Sequence, residues 1–258
     1  MPARATTTSK VRAMAQGIIH SYETFGAADG PGVRFILFLH GCPFRCAYCH
    51  NPDTWAGKPM GTASADEVLA RALRYREYWG ATGGITVSGG EPLLQAEFVT
   101  ELFEKAKAAG VTTCLDTAAG PFTRTGEKGA AFARLFRATD TVLLDIKHID
   151  DEKNRELTGA SNASVLDCAR YLNETGRTVW LRHVLVPGYT DDPESLKRLA
   201  DFVNPMENVV RVDILPYHTL GVAKWHALKI PYRLENVKPP TAESLAYARS
   251  LFTKASKK

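Results

Sequence analysis

Six stretches of the chain are almost continuously apolar and rich in β-branched residues. They are VRFILFLHG (33–41), GITVSGG (84–90), VTTCLDT (111–117), TVLLDIK (141–147), TVWLRHVLVPG (178–188) and VVRVDILPY (209–217). Runs of this kind fit parallel strands covered on both faces. Between them the apolar period lengthens to that of helices. SADEVLARALRYREYWG opens with Ser64 and has Glu67 three residues on, a capping box, and ends at Gly80. LQAEFVTELFEKAKAAG puts Phe98, Leu102 and Phe103 on one face and stops at Gly110. SNASVLDCARYLNETG follows, then DDPESLKRLADFV, with Asp192 as N-cap and Pro193 at the first helical position. TAESLAYARSLF predicts a last helix.

Six strand–helix alternations predict an α/β fold with a parallel sheet. Six units rather than eight point to a partial (β/α)6 TIM-like barrel. An open doubly wound sheet is the alternative. No linker, low-complexity segment or fixed-period repeat divides the chain. A single domain is therefore expected over 17–258, after a mobile tail over 1–16, and TKASKK at the other end reads as a similar tail.

Chemistry in such folds gathers at the C-terminal ends of the strands. Here those ends read as a cysteine loop after the first strand, then SGGEP, LDT, DIKH, RHVLVPG and LPYH. Polar residues, glycines and cysteines would thus converge at one mouth.

Composition narrows the class without naming it. The chain has 258 residues, 45% hydrophobic and 23% charged, with a formal net charge of +4. That small basic excess suits a solvated surface and gives no case for nucleic acid. No stretch approaches the ~18 apolar residues of a membrane span, and MPARATTTSKVRAMAQG lacks the apolar centre of a secretory signal. A cytoplasmic, monomeric protein is expected. Five cysteines, three of them clustered, suit a metal or cluster site in a reducing compartment better than a disulfide framework.

The cluster is GCPFRCAYCHNP (41–52), with Cys42, Cys46 and Cys49 spaced C-x3-C-x2-C. A zinc site completed by His40 or His50 is one reading, but zinc favours paired ligand units and no second pair exists. Cys114 falls in a strand and Cys168 in a helix, and both read as small buried apolar residues. The other reading is a [4Fe–4S] cluster on three thiolates, with one iron open to a small molecule. Tyr48, before the last cysteine, would shield it.

The motif resembles the radical S-adenosylmethionine (SAM) superfamily. The longer string DGPGVRFILFLHGCPFRCAYCHNPDTW resembles the activating enzymes of glycyl-radical enzymes. So do GGITVSGGEPLLQAEF, CLDT, LLDIKH, WLRHVLVPGYTDD and LPYHTLGVAKWHALKIPYRLENVKPP, in the same order from about Gly17 to Pro240. No ferredoxin-like insertion with further cysteines is present, which favours the short type acting on pyruvate formate-lyase.

The resemblance implies an oxidoreductase whose [4Fe–4S] cluster binds SAM through the open iron. One electron, from flavodoxin or a ferredoxin, would give a 5′-deoxyadenosyl radical that takes hydrogen from a glycine Cα of pyruvate formate-lyase. Oxygen sensitivity and a role in anaerobic glucose metabolism follow. It further implies SAM contacts from Tyr48, His50, Gly89, Gly90, Glu91, Asp145, Ile146, Lys147, Arg182 and His218. A monovalent cation (Na or K) beside the SAM carboxylate would be held by Asp116, Thr117, the Leu143 backbone and Asp145. Taken one by one, these residues have ordinary readings as well: a tight turn for Gly-Gly, caps and surface pairs for the acids, structural hydrogen bonds for the histidines.

One departure stands out. Close relatives often read LDTNG after the third strand, where this chain reads LDTAAG (115–120). An asparagine is lost and the loop is open to reshaping. The rival functions are activation of a different glycyl-radical enzyme, radical SAM chemistry on a small molecule, and a zinc-stabilised binding module without catalysis.

Overall fold

All six expected strands form, and two more precede and interleave with them. The computed structural model describes residues 15–256. The strands are β1 (Gln16–Gly26), β2 (Arg34–Leu39), β3 (Gly61–Ser64), β4 (Gly84–Gly89), β5 (Thr112–Thr117), β6 (Thr141–Asp145), β7 (Val179–Leu185) and β8 (Val209–Pro216). The helices are α1 (Asp53–Ala56), α2 (Ala65–Leu73), α3 (Ala96–Ala108), α4 (Gly126–Arg137), α5 (Asp151–Thr158), α6 (Ala163–Glu174), α7 (Pro193–Val203), α8 (Val222–Ala227) and α9 (Ala242–Ser250).

One sheet runs in the order β3, β1, β2, β4, β5, β6, β7, β8. From β2 onward every neighbouring pair is parallel. The strand order never reverses, so there is no switch point of the doubly wound kind. Right-handed crossovers that always step the same way put the helices on one face. This decides for the partial barrel over the open doubly wound sheet.

The two faces of the strands divide the labour by the period of two. Leu37, Val87, Leu115, Leu144, Leu181 and Val212 join the main apolar core. Burying each such side chain is worth about 1.5–3 kcal/mol. The alternate positions carry Ser88, Asp116, Asp145, Arg182 and Asp213, placed side by side by the registers Asp145–Arg182 and Arg182–Asp213. Deeper on that face, Arg34 is only 1% exposed. Its guanidinium donates to Thr86 Oγ1, Thr112 Oγ1 and the Ile85 carbonyl at 3.0, 2.7 and 2.6 Å, closing the lower end of the barrel.

The strands missed by the apolar-run criterion are β1 and β3, both antiparallel. β1 alternates buried and exposed positions rather than running apolar throughout, and β3 has only four residues. Gln16 belongs to β1, so the expected tail boundary falls inside a strand; residues 1–14 of that tail lie outside the described residues. The expected C-terminal tail is corrected as far as Ser256. Ala255 bridges Val212, whose N–H donates to the Lys254 carbonyl at 2.9 Å, while the Ser256 N–H donates to the Val212 carbonyl at 2.8 Å.

The capping box at Ser64 and Glu67 and the Asp192 cap both form. α2 stops at Leu73 instead of Gly80, and a 3₁₀ turn over Arg76–Tyr78 follows. The break lets the Tyr75 ring stack on Phe35 at 6.0 Å. No helix among the described residues is long and apolar enough to cross a membrane.

Candidate active site

The cysteine loop leaves β2 and is caught by the end of α5. Arg45 N–H donates to the Thr158 carbonyl at 2.7 Å, and Ala47 N–H to the Leu157 carbonyl at 2.9 Å. These are carbonyls that a helix end leaves without intrahelical partners. A turn then closes from Cys49 N–H to the Cys46 carbonyl at 3.1 Å. Cys42, Cys46 and Cys49 are free and partly exposed, whereas Cys114 and Cys168 are free and buried. The burial of Cys114 and Cys168 fits their reading as packing residues.

All three thiols line a cavity of about 500 Å³ at the C-terminal ends of the strands. Tyr48, His50, Gly89, Gly90, Asp116, Thr117, Asp145, Lys147, Arg182 and His218 line it with them. Burial, then repulsion from Cys46, pushes the Cys42 thiol up to about 12. Burial does the same for Cys46, to about 12, against the pull of Lys147. Without a metal these thiols keep their protons, so loading must expel them.

The cavity floor is a network of paired charges. Arg182 Nη2 hydrogen-bonds to Asp116 Oδ1 and lies 3.3 Å from Asp145 Oδ2. Lys147 Nζ is 3.1 Å from Asp145 and stands over the Tyr48 ring at 5.7 Å. Ser88 Oγ donates to Asp116 at 2.6 Å. Burial alone would raise Asp145, yet Lys147 and Arg182 hold it below its ordinary value. On one wall His50 and His218 stack at 4.1 Å and 20°. Burial, then His218, lowers the His50 pKa and keeps that ring neutral at pH 7.

Gly89 and Gly90 are required by a close approach of two backbones. A Cβ on Gly90 would lie 2.0 Å from the Gly41 carbonyl oxygen, and one on Gly89 2.2 Å from the Leu39 nitrogen. Gly90 N–H and Glu91 N–H donate to Leu39 O and Gly41 O at 2.9 and 2.8 Å. The loop after β4 is thereby joined to the start of the cysteine loop.

Three expected residues do not reach the cavity. Glu91 is 1% exposed and lies behind the wall. Its Oε1 accepts from Thr117 Oγ1 and Leu93 N–H at 2.5 and 3.0 Å, and its Oε2 from Ala118 N–H at 3.0 Å. It ties the β4 loop to the β5 loop. Ile146 faces the main core, because it is out of phase with Asp145 and Lys147. Leu143 is fully buried below the cavity. The implied cation set is accordingly no open cage of oxygens. Arg182 lies between its two carboxylates, and the Thr117 hydroxyl is given to Glu91.

Other residues escaped sequence reasoning. Asp29 lines the cavity from the loop before β2; burial, then Asp116, raises its pKa. The segment after β8 folds back over the cysteine loop. Trp225 Nε1 donates to the Cys49 carbonyl at 2.8 Å, and Lys224 Nζ to Asn51 Oδ1 at 2.8 Å. A second small core of Tyr48, Tyr217, Trp225, Tyr232 and Leu234 forms there. The aromatic density of that segment was its one visible signal.

The profile of the Radical SAM superfamily matches residues 36–202. The chain belongs to the radical SAM superfamily. Within it, the chain is 50% identical to a Streptococcus mutans pyruvate formate-lyase-activating enzyme, over 91% of this chain and 90% of that one. It is 49% identical to the protein of that name from Listeria monocytogenes, over 94% and 98% of the two chains. For the one from Staphylococcus epidermidis the identity is 51%, over 91% and 94%. Two solved structures share the fold. A radical SAM methyltransferase from Sphaerobacter thermophilus gives a TM-score of 0.60 at 19% identity, covering 86% of this chain and 65% of that one. A domain of a pyruvate-formate lyase-activating enzyme from Bacteroides vulgatus gives 0.56 at 21%, covering 67% and 98%.

Membership of the radical SAM superfamily brings a [4Fe–4S] cluster and SAM, and the residues present fit both. Among the described residues no three or more His, Cys, Asp or Glu side chains converge on a point where one metal ion would sit. A closed zinc site needs that convergence. A cubane does not, because each thiolate takes a different iron. On residues lining the cavity, the Tyr48 hydroxyl, Arg182 Nε and His218 Nδ1 are buried without hydrogen-bond partners. Buried polar atoms left in this way ask for a polar ligand.

Proposed function

We propose that this chain is the activase of a pyruvate formate-lyase, installing a glycyl radical on that enzyme. The observation that carries the reading is the 49–51% identity, over nine-tenths or more of each chain, to proteins named for that activity. When bound, the cluster and SAM supply the one-electron chemistry that allows a hydrogen atom to be taken from a glycine Cα.

The chain's own residues bind, orient and shield. Cys42, Cys46 and Cys49 hold the cluster. Lys147 and Arg182 meet the SAM carboxylate, and the Gly89–Gly90 backbone meets its amino group. The stacked His50 and His218 offer the adenosyl part a flat wall. Tyr48 closes the site from below, with Asp145 holding Lys147 in place. Glu91 and Ile146 act from behind the cavity, through the loops they fix. A monovalent cation at Asp116, Thr117, Leu143 and Asp145 would have to displace the Arg182 guanidinium from between two carboxylates. The chain from Gln16 onward acts as one domain and one monomer, in an oxygen-free cytoplasm. The electron comes from flavodoxin or a ferredoxin.

The test is anaerobic reconstitution with iron and sulfide, then dithionite, SAM and pyruvate formate-lyase. The expected outcome is 5′-deoxyadenosine together with a glycyl-radical signal in electron paramagnetic resonance (EPR). 5′-Deoxyadenosine without that signal would move the assignment to another glycyl-radical client. Absence of both would sink the radical reading altogether.

A further inference from the structure

The third cysteine differs from the other two in what lies over it. Cys42 and Cys46 are held from the β4 and α5 sides, by contacts close to the barrel. Cys49 and the residues after it are held by α8 and the turn leading into it. Trp225 Nε1 donates to the Cys49 carbonyl at 2.8 Å. Lys224 Nζ donates to Asn51 Oδ1 at 2.8 Å and to Asp53 Oδ1 at 3.2 Å. A Cβ on Gly221 would lie 2.8 Å from the His50 Cα, so the turn presses directly on the residue beside the thiol. The Trp225 ring packs edge-on against Trp55 at 5.8 Å and Tyr232 at 5.4 Å, which fixes the direction of its N–H. His218, stacked on His50, belongs to the same returning segment.

We infer that Trp225 and Lys224 are positioning residues, which set the third cluster thiolate and the His50–His218 wall together. The inference rests on the three cysteines binding a cluster, and it is independent of which protein is the client. Two physical consequences follow. An indole N–H on the Cys49 carbonyl limits how far the loop can open, and opening is what exposes a cluster to solvent and chelator. Solvent exposure and the hydrogen bonds around the ligands are also the protein's levers on cluster potential. Because the clamp holds both a thiolate and a cavity wall, cluster properties and SAM affinity must change in step when it is loosened.

The test uses the reconstituted full chain with Trp225→Phe, which keeps a ring and removes the N–H, and with Lys224→Met. Three readouts need no client enzyme: the rate of iron loss to a chelator, the cluster reduction potential, and the Kd for SAM from the change it causes in the EPR spectrum of the reduced cluster. Iron loss is expected to quicken about fivefold or more, the Trp225→Phe potential to become less negative as solvent reaches the cluster, and SAM affinity to fall, with an unchanged circular dichroism spectrum. Lys224→Arg should restore most of the Lys224→Met losses. Wild-type iron retention, potential and SAM affinity in Trp225→Phe would overturn the inference. So would iron loss that quickens while the potential and SAM affinity stay fixed, since that marks a merely structural contact. A wild-type chain that fails to load a cluster at all is a different failure, and it strikes the proposed function instead.

Discussion

Replacing Glu91 by glutamine tests whether burial or hydrogen bonding rules the carboxylate that joins the β4 and β5 loops. Three donors reach it, which favours its charged form, yet burial wins and lifts its pKa to about 7 from the usual 4.5. The folded chain therefore binds this proton more tightly than the unfolded chain. The unfolded group loses its proton near 4.5, so stability from this source is full below that pH and falls as pH rises through 7. Between pH 6 and 8.5 the remaining loss is about 1.4 kcal/mol, from ~1.36 kcal/mol per pKa unit. Glutamine keeps the shape of the neutral acid and does not titrate. Urea unfolding at both pH values should show wild type losing about 1.4 kcal/mol relative to Glu91→Gln. With a urea slope of about 2–3 kcal/mol per M that is roughly half a molar in the midpoint. Parallel behaviour of the two proteins would refute the argument, because it would mean that the three donors hold the carboxylate charged throughout.

Three further outcomes are expected. Ala119 has a φ of +52°, a left-handed conformation in which alanine is strained, and it stands where the LDTNG pattern has glycine; Ala119→Gly should stabilise the chain by about 0.5–1 kcal/mol, read by chemical unfolding. Gly90→Ala should leave little reconstituted cluster, because its Cβ would meet the Gly41 carbonyl at 2.0 Å; iron and sulfide analysis checks this, and wild-type loading would contradict the close approach. Alanine at Cys42, Cys46 or Cys49 should abolish cluster loading, while Cys114→Ala and Cys168→Ala should retain it at a cost of about 1–2 kcal/mol in stability, checked by absorbance and thermal unfolding.

The parallel strands were legible because strands buried on both faces leave unbroken apolar runs, as in TVLLD of β6. β1 was not, because an antiparallel strand with one wet face has a weaker signature and carries Ile18 and Phe25 exposed. The cysteine spacing was legible because ligands for one cluster must lie on one short loop. Glu91 was read as a ligand contact from its place beside Gly89 and Gly90. Sequence adjacency could not show that its side chain turns away, to serve donors on a loop 26 and 27 residues further along the chain. Trp225 was hidden for the same reason: its partner lies 176 residues away, and no local pattern encodes a contact of that range. Ile146 was grouped with Asp145 and Lys147, which line the cavity, because strand alternation was not applied to it.

That separation along the chain also has a meaning in time. Synthesis runs from the N-terminus at about 5–20 residues per second. The 176 residues between Cys49 and Trp225 therefore take roughly 10–35 s to follow. Throughout that interval the nascent thiols exist without the indole and ammonium that later secure their loop. The cradle is complete only when the returning segment has left the ribosome and folded back. Insertion of iron into the finished cradle is thus an event of maturation, after translation of nearly the whole chain.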